Sequence, residues 1–215
     1  MTPLPSPLLI VTNRHLTHRD LLDVIDEAVS AGAGWVWFRD KDLERVERFE
    51  LARRIQKMIG KRAILSIGAD VDLARDVGVS SVHLPMSADV KAVRAKLGAE
   101  ALIGVSAHSL ADVLAAKSLG ANYVTLSPIF ATQSKPGYGP EIGLSALAAA
   151  AALDIHVMAL GGVEPKNILE VMSAGASGVA LMGAAMRGAD VGANIRTVLL
   201  AIHGAKRCGS SFGSR

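Results

Sequence analysis

Two basic residues, Arg39 and Lys41, flank Asp40 at the end of an apolar run. Alternate side chains of an extended chain point to the same side, so both cations can project into one site. Two fixed cations suit a diphosphate or a carboxylate, and a solvated Arg-Asp-Lys turn is the competing interpretation. Lys135 is a third cation, on a loop rich in hydroxyls and glycine that could fold over a ligand.

A proton-transfer group is indicated at His108, which directly follows a strand-like run and precedes Ser109, a candidate helix N-cap. Imidazole both accepts and donates a proton near neutral pH, which is the chemistry of a general acid–base. A lone histidine is also compatible with a purely structural role. We expect His83 to be a hydrogen-bonded residue inside the fold and His156 to be structural.

Two glycine-rich segments, ALGGVEPKN and GVALMGAAM, end apolar runs and lead into helices. Backbone N–H groups at helix N-termini bind phosphate well. The segments therefore predict a phosphate site near Gly161, Gly162 and Gly183. Tight turns between a strand and a helix would use the same glycines, so this alternative stays open.

These candidates need elements that bring them together, and the chain alternates short strand-like runs with amphipathic helical stretches. Eight such units in 215 residues predict a single-domain α/β fold, the (β/α)8 TIM barrel. Ligands of such barrels bind at the carboxyl ends of the strands, where all these candidates lie. The runs begin near Leu8, Trp35, Ala63, Ser81, Leu102, Tyr123, His156 and Gly178.

An internal repeat supports a closed ring. Segments starting at Ala31, Val77, Leu119 and Ala174 share a helix end, a glycine, small residues and then a strand. They fall on alternate strands, the second, fourth, sixth and eighth. We assign the barrel to residues 1–204 and predict a disordered Gly/Ser-rich tail at residues 205–215.

The composition excludes several classes of function. A net charge of +3 with 20% charged residues is too slight to indicate nucleic acid or a membrane surface as partner, and it only hints at small anions. No uncharged apolar run approaches the ~20 residues of a membrane span. A single cysteine, Cys208, cannot form an intrachain disulfide, so we expect a cytoplasmic protein. A homodimer is expected only from the habit of the fold.

Five motifs in order resemble the thiamine phosphate synthase/TenI family. They are WFRDK, VDLARDVGVSSVHLP, IGVSAHS, GANYVTLSPIFATQSK and MALGGVEPKN, the last followed by AGASGVALMGA. The resemblance runs from about Leu8 to Ile202. It implies a (β/α)8 barrel that works in thiamine biosynthesis.

The resemblance also implies roles for individual residues. In a synthase of this family, Mg²⁺ and basic residues draw pyrophosphate off a hydroxymethylpyrimidine, and the thiazole nitrogen attacks the resulting cation-like ring. By resemblance, Arg39, Lys41 and Lys135 hold the diphosphate, and Ser106 lies near it. The thiazole and its phosphate are assigned in the same way to Thr132, Ser134, Gly161, Gly162 and Gly183.

The chain departs from the synthase pattern where the pyrimidine and the metal would bind. Trp37 stands in place of a glutamine, Gly68-Ala69 in place of an Asn-Asp pair, and Ala88 in place of an acidic residue. Mg²⁺ prefers carboxylate oxygens, which glycine and alanine lack. Asp70 and Asp89 lie one residue further on, and they are metal candidates only under the synthase hypothesis.

These departures favour a TenI-type protein. Such relatives isomerise a thiazole carboxylate phosphate to its aromatic tautomer without a metal, and by resemblance His108 moves the proton. Our main hypothesis is therefore a tautomerase-like enzyme with a phosphorylated thiazole as ligand and no cofactor. One alternative is a synthase that uses Mg²⁺ and a pyrimidine diphosphate. Another is a barrel that binds thiazole or thiamine phosphates without turning them over.

Overall fold

The computed structural model describes residues 2–132 and 139–210, with side chains up to residue 207. In this part of the chain, eight parallel strands pair in sequence order and β8 closes onto β1. This confirms the predicted (β/α)8 barrel. The strands are β1 (Leu8–Val11), β2 (Trp35–Phe38), β3 (Ile64–Gly68), β4 (Ser81–Leu84), β5 (Leu102–Ala107), β6 (Tyr123–Leu126), β7 (His156–Leu160) and β8 (Gly178–Leu181).

Helices surround the barrel, and several begin at a residue whose side chain accepts an N–H of the first turn. Asp70, Asp89 and Ser109 are such N-caps. Short 3-10 helices occupy Arg14–Leu16 and Pro165–Asn167. The α-helices of the described residues are α1 (Leu21–Ser30), α2 (Arg45–Ile59), α3 (Val71–Val77), α4 (Val90–Leu97), α5 (Leu110–Ser118), α6 (Gly143–Ala151), α7 (Ile168–Ser173), α8 (Gly183–Met186) and α9 (Val191–Ser210).

The strands are buried on both faces, which gives the protein two apolar layers. One layer lies between the strands and the helices and includes Leu8 and Ile10. The other fills the barrel and takes the alternate residues of the same strand, Leu9 and Val11. Two-sided burial explains why the strands read as continuous apolar runs in the sequence.

Large aromatic rings fill the interior of the barrel. Trp35 and Tyr123 pack edge to face, with ring centroids 4.7 Å apart. The Tyr123 ring takes the space beside Gly104 of β5, where a Cβ atom would lie 2.0 Å from its Cζ atom. The barrel wall therefore needs a glycine at this position.

The repeated helix-to-strand glycines have the conformation that the repeat predicts. Gly32, Gly78, Gly120 and Gly175 all have positive φ angles, which glycine adopts without a Cβ penalty. Gly78 is the left-handed C-cap of α3. These residues turn the chain from a helix into the strand that follows.

The predicted end of the barrel at residue 204 is too early. Helix α9 continues to Ser210, because Ala205, Lys206 and Arg207 are good helix formers and Gly204 does not interrupt them. The remaining predicted tail, residues 211–215, lies outside the described residues. Although α9 has 20 residues, neither it nor any other described helix is apolar enough to cross a membrane.

Candidate functional site

A cavity of about 810 Å³ opens at the carboxyl ends of the strands. This volume lies within the range of small-molecule sites. Ser134 and Lys135, two further predicted site residues, lie outside the described residues. Eight predicted site residues line the cavity: Arg39, Lys41, Ser106, His108, Thr132, Gly161, Gly162 and Gly183.

The charged residues of the cavity lining are mainly cationic. Arg39, Lys41 and Arg187 contribute positive charge, whereas Glu164 is the single carboxylate among the described lining residues. The Glu164 carboxylate lies 2.8 Å from the Lys166 ammonium, which offsets its charge. This balance favours an anionic ligand.

The glycine loops at the ends of β7 and β8 contribute backbone to the cavity. Gly162 has a φ of 65°, and a Cβ atom there would lie 2.5 Å from the Ala131 carbonyl oxygen. Gly161 approaches Pro128 in the same way. These close contacts are a sufficient reason for glycine at both positions, whether or not a phosphate binds. The phosphate prediction therefore depends on the surrounding charge and on helix α8.

Helix α8 begins at Gly183, directly after β8, and has four residues. A short extra helix after the last strand is the usual place of a phosphate in this fold, because its first N–H groups have no partner within the helix. Arg187 follows the helix and lines the same cavity. The start of α8 and Arg187 thus both contribute to the cavity lining.

His108 is held from two sides. Its ring Nδ1 lies 2.7 Å from the Ser127 carbonyl oxygen, which only accepts, so the neutral ring carries its proton on Nδ1 and its lone pair on Nε2. Its backbone N–H donates to an Asp112 carboxylate oxygen at 2.8 Å. Ser109 caps the following helix, as predicted. This arrangement suits a base that acts through Nε2.

Trp37 lies at the base of the cavity and is 6% exposed. Its ring packs on His83 with centroids 3.8 Å apart. A Cβ atom at Gly68 would lie 2.8 Å from the indole Nε1, and within the described residues this nitrogen has no hydrogen-bond partner. The indole therefore takes the space into which a side chain at position 68 would project.

His83 connects the cavity to the barrel interior through hydrogen bonds. Its Nδ1 lies 3.0 Å from the Tyr123 hydroxyl, and its Nε2 lies 3.0 Å from the Ser106 hydroxyl and 3.2 Å from that of Thr125. This confirms the expected hydrogen-bonded histidine inside the fold. Burial, with a smaller contribution from Arg39, lowers the pKa of His83 to about 3. The ring is therefore neutral near physiological pH.

The neutral state of His83 predicts that acid destabilises the barrel. Below pH 6.5 the unfolded chain binds a proton on this residue that the folded chain does not bind, so the free energy of unfolding falls with pH until about pH 3. From pH 7 to pH 5 we expect His83 to account for a loss of about 2 kcal/mol. Urea unfolding at both pH values, on the parent chain and on His83→Gln, measures this loss. An equal loss in both proteins would contradict the prediction.

The described residues do not fit a Mg²⁺ site at the positions that the family resemblance indicates. Gly68 and Ala69 line the cavity and offer no side-chain oxygen. Asp70 caps Leu73 and pairs with Arg48 at 3.2 Å, so both of its carboxylate oxygens are engaged.

The second metal candidate is also absent from the cavity lining. Asp89 accepts the Ala92 N–H as the N-cap of α4. Neither it nor Asp70 lines the cavity, and no group of three or more His, Cys, Asp or Glu in the described ranges could hold a metal ion. Both carboxylates serve as helix N-caps instead.

Sequence reasoning missed three features of the site. Arg187 was not predicted because it follows a four-residue helix and lies beyond the end of its strand. The packing of Trp37 on His83 joins strands that do not neighbour each other in the barrel. The hydrogen bonds of the buried Asp40 carboxylate were not predicted either. A histidine at the penultimate position of β4 was the available signal for the second feature.

Comparisons with known proteins agree on one family. A family model described as thiamine monophosphate synthase matches residues 8–185. A thiamine-phosphate synthase of Azorhizobium caulinodans is 35% identical over 210 residues, which are 95% of this chain and 99% of that protein. A thiamine-phosphate synthase of Nitrosococcus oceani is 34% identical over 190 residues, which are 86% of this chain and 87% of that protein.

A solved structure supports the same assignment. Thiamine phosphate pyrophosphorylase from Pyrococcus furiosus superposes with a TM-score of 0.82 at 25% identity, covering 92% of this chain and 96% of that one. The names of the relatives favour the synthase alternative over the tautomerase hypothesis. Together with the matched motifs, these similarities show that the chain belongs to the thiamine monophosphate synthase family, whose members are enzymes of thiamine biosynthesis.

Proposed function

We propose that this barrel binds a phosphorylated thiazole and catalyses a metal-independent tautomerisation of its ring. One observation carries the proposal: the Trp37 indole takes the space beside Gly68, the first position of the Asn-Asp pair that the family resemblance implies for a synthase. Among the residues that the structure describes, a cavity built in this way supplies cations and a histidine but no carboxylate ligands for Mg²⁺ at that end. Tautomerisation needs the cations to bind the ligand and the histidine to transfer the proton, and it needs no metal.

The cavity offers two anion-binding regions for such a ligand. The phosphate binds to backbone N–H groups near Gly161, Gly162 and Gly183, with Arg187 beside them. Arg39 and Lys41, which extend from β2, hold the carboxylate of a thiazole carboxylate phosphate. Thr132 and Ser106 line the same cavity, and their hydroxyl groups hydrogen-bond to the ligand. Ser134 and Lys135 remain proposed ligands beyond the described residues.

His108 is the proposed acid–base. Its Nε2 accepts a proton from a ring carbon of the nonaromatic tautomer, and the electron pair of the broken C–H bond enters the ring. The imidazolium then gives a proton to the carbon outside the ring that was double-bonded to it, so that the ring becomes aromatic. One proton and the associated double bonds have moved, and neither an oxidant nor a metal is consumed. The hydrogen bond to the Ser127 carbonyl stabilises the positive ring in between.

Thiamine phosphate synthesis is the second candidate, and the names of the relatives favour it. It requires a pyrimidine diphosphate as second substrate, and Mg²⁺ assists departure of the pyrophosphate in this family. Arg39 and Lys41 are then the groups that hold the diphosphate. The described side chains provide no fitting metal site, which is why we rank this function second.

Product analysis in Mg²⁺ and in EDTA separates these functions. We expect the purified chain to convert thiazole carboxylate phosphate to its aromatic tautomer at equal rates under both conditions, as followed by NMR. We also expect no thiamine phosphate from hydroxymethylpyrimidine diphosphate and thiazole phosphate. Magnesium-dependent thiamine phosphate would instead establish the synthase. Binding of thiazole phosphate without any turnover would leave a non-catalytic binding protein.

A further inference from the structure

Asp40 is a buried carboxylate that lies between two cavity-lining cations without lining the cavity itself. Arg39 and Lys41 both reach the cavity, whereas Asp40 points away from it and is 4% exposed. An acidic residue between two cations would weaken an anion site if it faced the same way. Its burial on the opposite side requires partners, because an unpaired buried carboxylate is strongly unfavourable.

Three groups from the end of β1 satisfy this carboxylate. The Thr12 hydroxyl donates to Oδ2 at 2.5 Å, and the Arg14 backbone N–H donates to Oδ1 at 2.7 Å. The Arg14 guanidinium lies 3.7 Å from Oδ1. Thr12 is itself fully buried. Asp40 is thus fixed by both side-chain and backbone donors of the neighbouring strand.

Thr12 also fixes the residue before Asp40. Its hydroxyl oxygen accepts the Arg39 backbone N–H at 3.0 Å, and its own backbone N–H donates to the Trp37 carbonyl at 3.0 Å. One hydroxyl therefore holds the main chain at Arg39 and the side chain of Asp40. With both held, the flanking side chains of Arg39 and Lys41 are directed to the cavity, which both of them line.

We propose that Asp40, braced by Thr12, is a positioning residue that directs Arg39 and Lys41 into the anion-binding side of the cavity. The proposal rests on the anion binding assigned under the proposed function, and it holds for tautomerase and synthase alike. Asp42 provides a matched control. It pairs with Arg14 at 2.7 Å and with His15 at 2.7 Å, but it is exposed and does not contact Thr12.

Calorimetric titration of the full chain with inorganic pyrophosphate in EDTA tests the proposal. Asp40→Asn should raise the Kd by about tenfold or more, since it breaks charge-assisted hydrogen bonds that hold the segment. Asp42→Asn should change the Kd by less than about twofold, as for an exposed ion pair. Simple Coulomb attraction predicts the opposite sign, because removing either negative charge would tighten anion binding.

The other outcomes overturn the proposal. Tighter binding by Asp40→Asn would mean that its charge acts only electrostatically, and a lower Tm with unchanged Kd would mean a role in stability alone. Equal weakening by Asp42→Asn would assign the effect to Arg14. If wild-type protein does not bind pyrophosphate, the anion site itself is wrong, and the positioning role falls with it.

A second pair of variants keeps the test decisive if Asp40→Asn does not fold. Thr12→Val removes the hydroxyl and preserves the shape, so it should weaken pyrophosphate binding by a similar factor. Thr12→Ser restores the hydroxyl and should bring the Kd back to within about twofold of the parent value. Unchanged binding by Thr12→Val would overturn the proposal by itself.

Discussion

Replacing His108 by asparagine should lower the rate of thiazole tautomerisation by about 10²- to 10⁴-fold, the usual contribution of a positioned acid–base. Asparagine can still donate a hydrogen bond to the Ser127 carbonyl, which His108 contacts at 2.7 Å, but it cannot carry the transferred proton. The loss should therefore appear in kcat. The Kd for thiazole phosphate should stay within about twofold, because the cations and glycine loops are unchanged.

His18→Asn is the matched control, since His18 is exposed and does not line the cavity. Its kcat should equal that of the parent protein. Deuterium incorporation from heavy water reports the proton transfer directly and should be lost only in His108→Asn. If His108→Asn turns over at the parent rate, His108 is not the acid–base, and another group in the cavity moves the proton.

The barrel was predictable because its signals are local. A buried parallel strand appears as a short apolar run, and a positive-φ glycine after a helix marks the return to the sheet, as at Gly78. Strand ends then identified eight residues of the cavity lining without any distance information. The tail boundary was wrong because glycine is a weak helix breaker when good helix formers follow, as after Gly204.

Long-range packing was beyond the sequence. The alternation of side chains predicts that Asp40 points away from Arg39 and Lys41. Nothing in the residue spacing indicates that the Thr12 hydroxyl, at the end of another strand, donates a hydrogen bond to the Asp40 carboxylate. The contact of Trp37 with His83 likewise depends on which residues face each other across the barrel. Both Mg²⁺ candidates could be tested only by structure, because a capping carboxylate and a metal ligand look identical in a sequence.

Replacing Gly104 by alanine should destabilise the protein by about 3 kcal/mol, the upper part of the usual range for overpacking. The added Cβ would lie 2.0 Å from the Cζ atom of Tyr123 and within 2.5 Å of both Cε atoms. The Tyr123 ring cannot move away from the added methyl group freely, because it packs on Trp35 and its hydroxyl is hydrogen-bonded to His83. In a thermal scan the Tm should fall by roughly 6–12 °C.

The same substitution at Gly204 separates this clash from general effects of alanine. Gly204 lies in α9, and a Cβ atom there would meet nothing within 4 Å, so Gly204→Ala should stabilise the chain by about 0.5–1 kcal/mol. Both variants reduce the backbone conformational entropy of the unfolded chain by the same amount. Only Gly104→Ala adds a steric clash to the folded protein. Opposite shifts in Tm therefore isolate the aromatic packing inside the barrel. If Gly104→Ala also raised the Tm, the Tyr123 ring would have room to move, and the base of the cavity above it would be less rigid than its contacts indicate.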